Sequence, residues 1–165
     1  MNIILIGMPG SGKSTTGVVL AKLLGMHFCD TDLVLQQHCG KKLQEIIRTE
    51  GDAAFFRHEE EVLATLEAQN TVIATGGSAV YADRAMQHLK ADGKCVYLKV
   101  SEAEIERRLA NFSDRGVVIA DGMTLADLYA ARMPLYEKYA DITVSAEDGT
   151  VWDTARRIAE VLRAR

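Results

Sequence analysis

The chain has 165 residues, of which 48% are hydrophobic and 25% charged, with a formal net charge of −4. This length suits one domain and this balance an ordinary globular protein. An acidic chain lacks the basic face that sequence-independent nucleic-acid binding requires, and no apolar run approaches the ~18 residues of a membrane span.

The opening MNIILIGMPG has no basic leader region and turns to glycine after four apolar residues, so no signal peptide is expected. Residues 2–6 predict a buried strand, 13–24 a helix, and 27–29 a short second strand. Helical patterns cover 33–38, 43–50 and 53–69, followed by a strand at 71–74 (TVIA) and a helix at 82–91. A strand at 95–100 (CVYLKV), helices at 102–110 and 125–139, a strand at 142–144 and a helix at 151–163 complete the chain. Strands alternating with helices predict a parallel sheet covered on both faces.

Residues 111–122 (NFSDRGVVIADG) interrupt this order with a polar, glycine-bearing stretch longer than usual connections, and read as a functional loop or lid. Cys29, Cys39 and Cys95 lack C-x-x-C spacing and read as reduced thiols of a cytoplasmic protein. His27, His38, His58 and His88 form no local ligand cluster, so a zinc site is not expected.

Directly after the first strand stands Gly7-Met-Pro-Gly-Ser-Gly12-Lys13-Ser14, a complete G-x-x-x-x-G-K-[ST] motif between a strand and a helix. Glycines let successive N–H groups turn inward onto a phosphate, and the helix behind them adds its positive end. Lys13 is expected to reach the β- and γ-phosphates and the Ser14 hydroxyl to bind Mg²⁺. No N-K-x-D sequence for guanine is present, and the strand at 71–74 runs into Thr75-Gly76-Gly77-Ser78 rather than an aspartate. The carboxylates sit instead after the second strand, in Asp30-Thr31-Asp32. One acid can face the metal side of the phosphates and the other an acceptor hydroxyl; an N-cap for the following helix is compatible with either.

The glycine loop GMPGSGKST, F-x-D-T-D at 28–32, T-G-G at 75–77 and R-x-P-L-Y at 132–136 come in the order and spacing of shikimate kinases, and the chain resembles that family over nearly its whole length. The resemblance implies an α/β fold: a P-loop kinase three-layer sandwich with a five-stranded parallel sheet in order 2-3-1-4-5, flanked by helices, with a mobile lid. One domain would cover 1–165, its lid at 111–122 and its acceptor-binding helices within 31–69. The implied activity is transfer of the ATP γ-phosphate to the 3-hydroxyl of shikimate, in aromatic amino-acid biosynthesis, with Mg²⁺. The expected protein is a cytoplasmic monomer that binds ATP and a small hydroxylated, carboxylated acceptor, with no nucleic-acid or membrane partner.

By the same resemblance, Gly10, Ser11, Gly12, Lys13, Ser14 and Thr15 would bind the phosphates, with Asp30 assisting Ser14 at the metal through water. Asp32 would orient the acceptor hydroxyl, Gly76 and Gly77 would approach the acceptor by their backbone, and Arg132 would bind its carboxylate. Arg115 matches the lid arginine and Arg108 the arginine that packs on adenine. Pro134 is expected to disturb the helix near Arg132.

Three positions depart from the family pattern. Ser78 replaces its third glycine, and the lid reads Arg115-Gly-Val-Val where arginine, proline and two leucines are usual. In GDAAFFRHEEE, the family's F-R-x-x-E falls on Phe55 to Glu59, which puts Phe56 where the acceptor-binding arginine belongs. Arg57 comes one residue, about 100°, late, and is the candidate replacement. Two other readings therefore stay open: a kinase of the same fold for another alcohol, and a nucleotide-binding regulatory module without turnover.

Overall fold

The computed structural model describes residues 1–110 and 122–164. Within them, the five strands form one parallel sheet in the order β2-β3-β1-β4-β5, as expected. β1 (Asn2–Ile6) and β3 (Thr71–Ala74) are buried throughout, which is why they read as unbroken apolar runs. β4 (Gly93–Lys99) completes the inner strands, while β2 (His27–Asp30) and β5 (Ile142–Ser145) form the edges. On β5, buried and exposed residues alternate.

The helices are α1 (Lys13–Leu24), α2 (Thr31–Cys39), α3 (Leu43–Glu50), α4 (Asp52–Ala64), α5 (Asp83–Ala91), α6 (Glu102–Ala110), α7 (Leu125–Tyr139) and α8 (Val151–Arg163). α1 packs on α8, and α4 on α5. The main core joins the sheet to these helices through Ile4, Leu5, Leu20, Val96 and Ile158. Each such side chain contributes about 1.5–3 kcal/mol on full burial. Leu35, Ile46, Phe55 and Val62 form a second, smaller core that holds α2, α3 and α4 together.

Several boundaries differ from the sequence reading. α4 stops at Ala64 instead of running to residue 69, and Asn70 takes a left-handed φ of 49°. The Asn2 side chain accounts for this: it donates to the Ala68 carbonyl at 2.7 Å and accepts from the Thr71 N–H at 3.1 Å, drawing the segment into β3. A 3-10 helix over Ala79–Tyr81, absent from the sequence reading, precedes α5. α7 runs through Pro134, whose side is exposed, while Leu128, Arg132 and Tyr136 face inward.

Candidate active site

The carboxyl ends of β1, β2 and β3 lie side by side, the place where open parallel sheets bind ligands. β1 ends in the glycine loop, β2 in Asp30 and β3 in Thr75-Gly76-Gly77. The Thr75 hydroxyl donates to the Leu5 carbonyl at 2.9 Å, locking the last segment to the first. Behind the loop, a Cβ on Gly17 would stand 2.6 Å from the Phe28 ring, so α1 sits close against β2. Phe28 thereby packs the helix behind the glycine loop against the strand that leads into Asp30–Asp32.

Gly10 and Gly12 have φ of 81° and 90°, backbone that favours glycine and turns the loop back on itself. Lys13 is buried, and its ammonium donates to the carbonyls of Gly7 at 2.8 Å and Met8 at 2.9 Å. Ser11 is buried beside it, whereas Ser14 and Thr15 are exposed toward the cavity. Arg108 crosses from α6 onto the loop: Nη1 donates to the Gly10 carbonyl at 3.2 Å and Nη2 to the Ala146 carbonyl at 2.7 Å. Glu104 accepts from its Nε at 2.7 Å.

One cavity of about 790 Å³ runs from this loop to a second polar cluster, and its lining includes Lys13, Asp32, Glu59, Gly77, Arg108 and Arg132. Asp30 caps α2, its Oδ1 accepting the Asp32 N–H at 3.0 Å, so the capping and ligand readings of this segment fall on adjacent acids. Glu59 is 4% exposed and accepts from the Ser78 hydroxyl at 2.5 Å. Burial pushes its carboxyl up to about 7, with Asp32 adding to the rise and Ser78 and Arg132 opposing it. A Cβ on Gly76 would stand 2.5 Å from Glu59 Oε1 and 3.0 Å from Asp32 Oδ1, so the two carboxylates converge over glycine backbone.

Arg132 is 2% exposed yet lines the cavity. Its guanidinium lies 5.3 Å from the Tyr81 ring centroid, and a Cβ on Gly77 would come within 3.0 Å of Nη1. One turn on, Tyr136 donates its hydroxyl to the Gly77 carbonyl at 2.7 Å and stacks on Tyr97. The R-x-P-L-Y and T-G-G motifs are thus one unit.

Residues 9–163 match the family profile described as shikimate kinase. The chain belongs to the shikimate kinase family. It is 39% identical to the shikimate kinase of Pseudomonas aeruginosa (strain LESB58), over 99% of this chain and 96% of the relative. It is 37% identical to that of Chlorobium chlorochromatii, over 98% of this chain and 92% of the relative. Shikimate kinase from Acinetobacter baumannii, solved in complex with shikimate, superposes with a TM-score of 0.91 at 32% identity, covering 99% of this chain and 93% of that one.

Within that family's pattern, the substituted positions do specific things. Phe56 packs edge-on against Phe55 and Tyr81, with ring centroids 5.9 Å apart in each pair, and is absent from the cavity wall. Arg57 is exposed and also absent from that wall, which counts against its candidacy as an acceptor ligand: one residue of helical rotation turns it outward. Ser78 does not intrude, because its side chain is turned onto Glu59. Arg115 and the lid residues up to 121 lie outside the described residues.

Gln36, Lys42, Gln44, Glu59 and Ser78 line the cavity without having been singled out as ligands from sequence. Gln36 was legible as the residue one helical turn beyond Asp32. Lys42, which reads as an ordinary surface lysine, gave no such signal.

Proposed function

We propose that the protein is an ATP-dependent phosphotransferase that moves the γ-phosphate of ATP to a hydroxyl of shikimate. The observation that carries this reading is that one cavity joins the glycine loop to Asp32 and Arg132. Family membership and the relatives' names support the acceptor.

In this reading the loop N–H groups and Lys13 hold the β- and γ-phosphates, and Arg108 flanks the base. Asp32 accepts a hydrogen bond from the acceptor hydroxyl and aims its oxygen along the line of transfer. Arg132 takes the acceptor's carboxylate, and the backbone of Gly76 and Gly77 lets the ring lie close. Phosphoryl transfer has a loose transition state, so positioning and neutralisation of charge supply most of the rate. Arg115 is assigned to the moving phosphoryl group, and closure of the 111–122 segment to the exclusion of water.

Mg²⁺ suits the hard oxygen donors at this end. The Ser14 hydroxyl would hold it, with Asp30 acting through water, since one Asp30 oxygen already caps α2. When bound, the ion neutralises charge across the β- and γ-phosphates. Three free cysteines accord with the cytoplasmic location, and the assignment as a monomer is open to light scattering.

A second reading, an alcohol other than shikimate in the same site, is favoured by Phe56: an aromatic side chain packed on Tyr81 stands where the family has a carboxylate-binding arginine. A coupled ADP-release assay over shikimate, quinate, homoserine and simple sugars separates the two. Saturable turnover on shikimate above the others is expected. Turnover on another alcohol with none on shikimate overturns the leading reading, and acceptor-independent ATP binding alone points to the regulatory module.

A further inference from the structure

The four histidines are scattered in sequence, yet folding brings two of them together. His38 lies in the last turn of α2, and His58 and Glu61 lie three residues apart on α4, hence on one face of that helix. One potential ligand atom from each of the three lies within 4.8 Å of the other two. The His38 and His58 rings meet edge to face, with centroids 6.3 Å apart. Donors around a tetrahedral ion with bonds of ~2.1 Å stand ~3.4 Å apart, so modest side-chain rotations would close the set.

We propose that His38, His58 and Glu61 form a binding site for a divalent transition-metal ion, of the zinc, nickel or cobalt kind. Two imidazoles and one carboxylate suit these ions rather than Mg²⁺, which prefers oxygen ligands alone. The surroundings are organised in a way that an accidental pair of surface histidines does not require. Glu50, at the end of α3, stands 2.8 Å from His58 Nε2, and Lys41 holds the other Glu50 oxygen at 2.8 Å. A carboxylate on the far nitrogen of a ligating histidine fixes the ring and raises its basicity. His58 then has its Nδ1 side for the metal.

The site is separate from the ATP and acceptor cavity, and none of its three ligands lines that cavity. It nonetheless touches the same helices. α2 carries Asp32 six residues before His38, and α4 carries Glu59 next to His58. A bound ion would tie the end of α2 to the middle of α4.

The test is calorimetric titration of tag-free protein with ZnCl₂ or NiCl₂, without nucleotide or chelator, alongside the visible absorbance of added Co²⁺. The expected result is one ion per chain. His38→Ala and His58→Ala should each weaken binding by about tenfold or more, as should Glu50→Gln by releasing the His58 ring. His27→Ala and His88→Ala should leave binding unchanged. An ordinary Glu50–His58 ion pair would be indifferent to His38, so unaltered binding in His38→Ala overturns the proposal. No binding tighter than about 1 mM overturns it as well. Far-UV circular dichroism of each variant, and retained shikimate-dependent turnover, separate lost ligands from lost fold.

Discussion

The two ends of the cavity are built differently. Most of the phosphate end is contiguous: β1, the glycine loop and α1 occupy residues 2–24, and much of the binding surface is backbone. The acceptor end is assembled from α2, α4, the 3-10 helix and α7, which are separated by up to about a hundred residues, and it works through side chains. A backbone cradle tolerates few changes because the glycine conformations define it. A side-chain site depends instead on which residues its helices and loops carry, such as Phe56 and Ser78. Phosphate binding therefore rests on backbone conformation, and acceptor recognition on side-chain identity.

That contrast is open to attack by substitution. Lys13→Ala removes the positive charge from the phosphate end and should lower kcat by about 10³-fold, measured as acceptor-dependent ADP release. Asp32→Asn keeps the shape but loses the acid proposed to orient the hydroxyl, and a drop of about 10²-fold in kcat is expected. If Lys13→Ala altered only KM for the acceptor, the division between the two ends would be wrong.

At the part of the acceptor end away from the reacting hydroxyl, the effects should fall on KM. Arg132→Lys exchanges a planar fork for a point charge, and should raise the acceptor KM by about tenfold while the ATP KM stays within about twofold. An equal rise in both would mean that Arg132 supports the whole cavity and not one end of it.

Glu59 makes a prediction about pH. Its carboxyl is raised to about 7 in the folded protein, from 4.5 in the unfolded chain. The folded state therefore favours the protonated form: the contribution is full below pH 4.5 and is lost as pH rises through 7. The loss amounts to roughly 3 kcal/mol across that window. Urea unfolding at pH 4.5 and pH 7.5 should show this loss in the parent protein and not in Glu59→Gln. The smallest effect belongs to Arg57→Ala, which should change kcat/KM by less than about twofold, because an exposed side chain off the cavity wall has little to lose.

The order of strands, the glycine loop and the Asp30–Asp32 segment were legible because local pattern determines them. Buried inner strands show as apolar runs, and a glycine loop shows its chemistry in consecutive residues. The end of α4 was not legible, since the Asn2 amide that redirects residues 68–71 lies far away in the chain. Nor was the Ser78–Glu59 pair, whose partners are nineteen residues apart and meet only when α4 packs beside the end of β3. The one-residue offset made Arg57 the candidate replacement, but in the fold Phe56, not Arg57, turns toward Tyr81.

In the proposed reaction one cavity passes phosphate from ATP to a shikimate hydroxyl. ³¹P nuclear magnetic resonance of a mixture of protein, Mg·ATP and shikimate tests it directly. A new phosphate-monoester signal should grow in step with ADP, and about 10²-fold more slowly in Asp32→Asn. ADP accompanied only by inorganic phosphate, or no consumption of ATP, would contradict it.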